Sequence, residues 1–143
     1  MKAISLWQPW AQAMALGLKR NETRHWPTNY RGDIVICSAK RPLDSVGREI
    51  CREAEISADL LQFGYALCIV EIYDVDHTQA LFHQPGNEPG MLELLLGDYS
   101  AGRFAWRTKN LRRLAEPVPI TGRQGLFNIT GETAERILEQ VKN

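Results

Sequence analysis

Gly17-Leu18-Lys19-Arg20-Asn21-Glu22-Thr23-Arg24-His25-Trp26 is the stretch on which the fold turns. It lies between an apolar run and a loop, and it sets a lysine, a carboxylate and an arginine close together at Lys19, Glu22 and Arg24. If it is extended, period-two alternation sends Glu22, Arg24 and Trp26 to one face and Asn21, Thr23 and His25 to the other. One face is then a charged pair with an aromatic beside it. The plainer alternative is a surface ion pair between Glu22 and Arg24 or Lys19, which contributes little.

Upstream, Lys2 to Trp7 reads as a short strand with Ile4 and Leu6 on one side. Gln8-Pro9 then opens a helix, since proline is well placed in a first turn, and Ala11 to Leu16 is rich in helix formers. Gly17 is the natural stop. Downstream, residues 26–33 form a loop and Ile34 to Ala39 an apolar run of buried-strand type. Residues 43–63 read as helical with an apolar stripe that includes Val46, Ile50, Leu60 and Leu61. Tyr65 to Val75 is rich in β-branched and aromatic residues, the clearest strand in the chain. Glu71 interrupts it and faces either solvent or a pocket. Residues 84–90 form a loop and Met91 to Leu96 a helical turn, within a long connection of the kind that often serves as a lid. Phe104 to Thr108 and Leu111 to Leu114 read as two strands, with Pro117 and Pro119 marking an edge or connector. After a turn at residues 122–125 and Leu126 to Ile129, Thr130 caps a final helix with Ile137, Leu138 and Val141 on one side. Strands that outnumber helices, without regular long crossovers, favour an α+β fold: a curled mixed or antiparallel sheet with peripheral helices.

At 143 residues, with 44% hydrophobic and 24% charged side chains, residues 1–143 read as one ordinary globular domain. No signal peptide or membrane span is visible, so the expected compartment is the cytoplasm. Cys37, Cys51 and Cys68 lack metal or disulfide spacing and read as buried apolar residues. The formal net charge of zero conceals a partition: residues 1–43 carry +5, residues 44–98 carry −9, residues 99–123 carry +5 and the remainder −1. Two basic segments flanking an acidic middle either converge on an anion-binding surface or are scattered over solvated faces.

The sequence has no phosphate-binding loop, dinucleotide fingerprint, zinc-protease helix or nucleophile elbow, and His25, His77 and His83 share no ligand spacing. Neither a metal nor a cofactor is expected. The aromatic residues Trp7, Trp10, Trp26 and Tyr30 cluster in sequence near Lys19, Glu22 and Arg24, a usual way to hold a base beside cations.

Ser5-Leu6-Trp7-Gln8-Pro9-Trp10-Ala11, Gly17-Leu18-Lys19 with Glu22-Thr23-Arg24, Arg31-Gly32, Ser38-Ala39-Lys40-Arg41 and Gly122-Arg123-Gln124-Gly125-Leu126-Phe127 together resemble the ASCH family of small domains related to the PUA fold. The resemblance spans nearly the whole chain. It implies a PUA-like curled β-barrel of five or six strands, with helices around it and a polar cleft inside. It also implies activity on RNA or on nucleosides: family members include RNA-binding modules, ribonucleases, and amidohydrolases that remove acyl groups from the exocyclic 4-amino group of cytidine. In those amidohydrolases a K-x-x-T-x-R motif supplies a lysine base and a threonine nucleophile, assisted by a distant glutamate. Lys19 and Arg24 match, but Glu22 stands where the threonine would be.

The expected activity is therefore amidohydrolysis of an acylated cytidine, with Lys19 and Glu22 as the acid–base pair and water as the nucleophile. Glu22 acts as general base, a role that calls for partial burial, and Lys19 holds the oxyanion or protonates the leaving amine. Thr23 is the neighbouring hydroxyl, usable as nucleophile only if a bulge turns it to the other face. Ser5, Trp7, Gln8, Pro9, Trp10, Arg24, Trp26, Lys40 and Glu71 are the expected substrate-binding residues, the tryptophans stacking on the pyrimidine and Lys40 or Arg24 meeting sugar, phosphate or a base oxygen. The rivals are an RNA-binding module without catalysis, whose partner is single-stranded RNA, and a ribonuclease in which Glu22 or Lys40 removes the 2′-hydroxyl proton.

Overall fold

The chain runs β1 (Lys2–Leu6), α1 (Trp10–Ala15), β2 (Asn21–Arg24), β3 (Gly32–Ser38), α2 (Ser45–Ala54), a 3₁₀ turn (Ala58–Leu60), β4 (Tyr65–His77), α3 (Thr78–Leu81), α4 (Met91–Leu96), β5 (Phe104–Pro119), β6 (Phe127–Asn128) and α5 (Gly131–Val141). This is a computed structural model, which describes residues 1–141. The six strands form one curled mixed sheet in the order β2-β5-β4-β3-β1-β6. The fold is thus the expected α+β, PUA-like one. The β4–β5 pair is its spine, with β4 antiparallel to both β3 and β5, while β1 lies parallel to β3 with Leu6 opposite Ser38.

One core lies where α1 packs against the sheet, built from Ile4, Met14, Ile34, Ile36, Ile72 and Trp106, all at most 1% exposed. A second lies on the other side, where Val35, Ile69 and Val118 meet Ile137 of α5. Cys37, Cys51 and Cys68 are buried free thiols, and burial pushes Cys37 and Cys68 up to about 12.

Three expectations are corrected. The helix expected over 43–63 stops at Ala54, where Glu55 takes a left-handed conformation (φ 57°), and the chain continues through the 3₁₀ turn. The two strands expected at Phe104 to Thr108 and Leu111 to Leu114 are one 16-residue strand. Asn110 enters the left-handed region there (φ 54°), and the β4–β5 register shifts absorb the irregularity, so Pro119 still pairs with Tyr65. In α5, Ile137 is buried but Leu138 is 46% exposed, so the stripe is narrower than expected. No described helix is long and apolar enough to cross a membrane.

Candidate functional site

Two residues past the end of α1 comes Gly17, whose φ of +76° is readily adopted only by glycine, and the turn folds the chain back so that Leu18 N and Lys19 N both donate to Ala13 O (3.0 and 3.2 Å). That hook carries the Lys19 side chain inward, where it is 1% exposed. Its ammonium donates to Asn21 O (2.5 Å) and lies 3.3 Å from Glu22 Oε1. Arg24 Nε donates to the other oxygen, Glu22 Oε2 (3.0 Å), and Arg24 Nη2 to Ser5 O (3.4 Å). Each Glu22 oxygen thus faces a cation, and the carboxylate is 11% exposed. Among the described residues the Lys19 ammonium, with its three donors, has one hydrogen-bond acceptor, Asn21 O, and one ion-pair partner, Glu22.

These groups lie along a cleft of about 520 Å³, within the size range of small-ligand sites. Ser5, Trp7, Trp10, Lys19, Glu22, Thr23 and Arg24 all line it, so seven of the twelve expected site residues are brought together. Ser5 Oγ is buried without a hydrogen-bond partner among the described residues. It lies so close beneath Gly122 that a Cβ there would sit 2.1 Å from the hydroxyl.

Thr23 lines the same cleft as Glu22 and Arg24, and its Oγ1 accepts from Asp98 N (3.0 Å). Its carbonyl accepts from Arg103 Nη2 (3.1 Å). Sequence reasoning missed Asp98 and Arg103, which line the cleft together with His25, Ile50 and the residues from Leu95 to Gly97. Asp98 and Arg103 pair at 3.4 Å, and Ser100, donating to Asp98 Oδ1 from hydroxyl and backbone, holds the Asp98 carboxyl below its ordinary value. The only sequence signal for this wall was the start of the basic segment at Arg103. Nearby, Tyr99 OH donates to Glu93 and accepts from Asn21 Nδ2, and burial pushes the phenol well up.

The other five expected residues do not line the cleft. Gln8 is buried in a structural role, Nε2 donating to Gln62 O (2.9 Å) and Oε1 accepting from Gln12 N (2.8 Å). Pro9, also buried, follows a cis peptide bond at the start of α1. Trp26, half-buried, packs edge-on against Trp106 (centroids 4.7 Å, planes 79° apart), its carbonyl accepts from Trp106 Nε1, and the Arg24 guanidinium carbon lies 6.0 Å from its ring centroid, so it backs the site from the rim of the core. Lys40 lies over Gly64 and lines a separate hollow with Tyr65 and Ile120. Glu71 meets Asn110 Nδ2 (2.7 Å) and Lys109 (3.8 Å) on the β4–β5 ribbon, resolving its two possible directions against the cleft. Among the described residues no group of three or more His, Cys, Asp or Glu is placed to hold a metal ion.

The ASCH domain family model matches residues 4–118. The chain belongs to the ASCH domain family. The crystal structure of an ASCH protein from Zymomonas mobilis resembles this ASCH domain with a TM-score of 0.61 at 17% identity, covering 96% of this chain and 93% of that one. Two mutant forms of the Zymomonas protein give 0.61 and 0.59, both at 17% identity over 96% of this chain, with 96% and 94% of theirs covered. At that identity the likeness is one of fold. No curated protein matches the sequence.

Proposed function

We propose that this ASCH domain is an amidohydrolase that removes acyl groups from the exocyclic 4-amino group of cytidine or a related nucleoside. The observation that carries the reading is the buried Lys19 ammonium, ion-paired at 3.3 Å with a Glu22 carboxylate at the wall of a nucleoside-sized cleft. Each carboxylate oxygen has a second lone pair, so Glu22 still accepts from a water while Lys19 and Arg24 hold it in place. Glu22 takes the proton as the water oxygen attacks the acyl carbon. A Lys19 N–H turns to the developing oxyanion, in a setting where little water competes for it. When the tetrahedral intermediate collapses, the C–N bond breaks and the proton on Glu22 passes to the leaving 4-amino nitrogen, giving a carboxylic acid and cytidine. Arg24 orients the base, and Trp7 and Trp10 offer aromatic surface to the pyrimidine.

The charge distribution favours a small substrate over a polyanion. In the basic segment, Arg103, Arg107, Lys109 and Arg112 pair with Asp98, Asp76, Glu71 and Asp33, the last through a bidentate contact at 2.9 and 2.6 Å. Four cations of the basic segment are thus already paired, three of them with Glu71, Asp76 and Asp98 of the acidic middle.

The test is to incubate purified protein with N4-acetylcytidine and with a labelled single-stranded RNA, following cytidine release and strand length. Cytidine should form, and Glu22→Gln should lose about two to four powers of ten in rate. Wild-type turnover by Glu22→Gln, or RNA cleavage with no deacylation, overturns the reading.

A further inference from the structure

We propose that Trp7 carries the pyrimidine on its open face and that Arg41, stacked on the opposite face, makes this platform selective for neutral over cationic bases. The inference rests on the nucleoside reading above and names how the ring is held and what is refused.

Arg41 Cζ lies 3.8 Å from the centroid of the Trp7 ring, well within cation–π range. Trp7 is nevertheless 53% exposed and lines the cleft, so the surface left to a ligand is the face away from the guanidinium. The two residues are far apart in sequence, but the parallel β1–β3 pairing brings Leu6 opposite Ser38, and Ala39 N donates to Leu6 O (2.8 Å). Both strands therefore end side by side, and the chains leaving them meet.

Arg41 is fixed by a second contact. Its Nη2 donates to Asp44 Oδ2 (3.1 Å), while Asp44 Oδ1 accepts from Gly47 N (2.8 Å) and caps α2. The carboxyl is held below its ordinary value by that backbone N–H and by Arg41. One carboxylate thus secures both the helix start and the guanidinium, and α2 contributes Ile50 to the cleft.

A cation on one face of an indole draws π density toward itself and lowers the negative potential of the other face. A second cation there loses cation–π attraction and meets the charge of Arg41 across the ring. A neutral ring keeps its dispersion and area terms. Cytidine and its acylated forms are uncharged at neutral pH, whereas 3-methylcytidine is a cation there. The guanidinium also orders the indole before the ligand arrives, which lowers the entropic cost of binding.

The experiment is calorimetric titration of cytidine and 3-methylcytidine into wild type, Arg41→Ala and Arg41→Lys, beside an N4-acetylcytidine hydrolysis assay. Arg41→Ala should weaken cytidine binding about three- to fivefold and shrink the preference for cytidine over 3-methylcytidine. Arg41→Lys, which keeps the charge without the planar group, should retain the preference. Unchanged melting of Arg41→Ala excludes a folding defect. The inference falls if Arg41→Ala leaves both affinity and preference as in wild type, or if wild type binds neither nucleoside. Hydrolysis indifferent to Arg41 overturns this inference alone. Arg41-dependent binding without hydrolysis overturns the amidohydrolase reading alone.

Discussion

At the scale of single residues, Lys19, Glu22 and Arg24 are a buried chain of charges rather than a surface triplet, and that changes what substitution does. Glu22→Ala removes the carboxylate partner of an ammonium that is 1% exposed, so it should cost about 3–5 kcal/mol in urea unfolding. Glu22→Gln keeps an oxygen for one cation and should cost distinctly less while still losing activity. Thr23 separates the two chemistries: Thr23→Val removes the acceptor of Asp98 N and should cost about 0.5–1.5 kcal/mol. It should retain deacylation within tenfold of wild type, as a rough bound on a lost orienting contact. A covalent threonine mechanism predicts near-complete loss. Part of this site was legible in the sequence, because period-two alternation sets Glu22 and Arg24 side by side, as their 3.0 Å contact requires, although Thr23 lines the same cleft. Alternation says nothing of what lies beyond a face, however. Trp26 shares the parity of Glu22 and stays beside Arg24, yet it packs on Trp106 without lining the cleft, and Lys40 leaves β3 toward Gly64.

At the scale of elements, the turn after β5 controls one wall of the cleft. Gly122 sits against Ser5 Oγ with no room for a methyl group, and Ser5 O holds Arg24. Gly122→Ala must displace the Ser5 hydroxyl or lift the turn. The expected result is a loss of about 1–3 kcal/mol, as for overpacking elsewhere, with a fall in deacylation that exceeds the loss of folded protein. Thermal melting and rate measured on the same preparation check it. The β5 strand shows why some elements were misread. Asn110 and Pro117 look like turn and connector residues, but the β4–β5 ribbon accommodates both with register shifts that depend on long-range pairing. The Asp98–Arg103 wall was invisible for a similar reason, since its place is set by hydrogen bonds to β2 across some 75 to 80 residues.

At the scale of the whole molecule, the segmental charge partition resolves into pairing. Asp33, Asp44 and Asp98 all sit below the ordinary carboxyl value of 3.8, through Arg112, the α2 cap and Ser100 respectively. The folded protein therefore binds protons at these sites less readily than the unfolded chain does. Their contribution to stability is complete above the unfolded value and is lost as pH falls through the folded ones. Urea midpoints should hold steady from neutral pH to about pH 5 and then fall steadily toward pH 2. The Asp33→Asn variant should show a shallower fall. A flat profile through that window contradicts the assignment.

The free edge of β2 has one more consequence. Arg20 O accepts from Thr108 N, so by strand alternation the carbonyls of Asn21 and Thr23 point away from β5, toward the side where no further strand lies. Lys19 and Arg103 occupy those two carbonyls. An open strand edge is a template for pairing with another chain, and here side-chain cations occupy its acceptors. The cations that shape the cleft thereby also guard the molecule against self-association through an edge strand of its sheet.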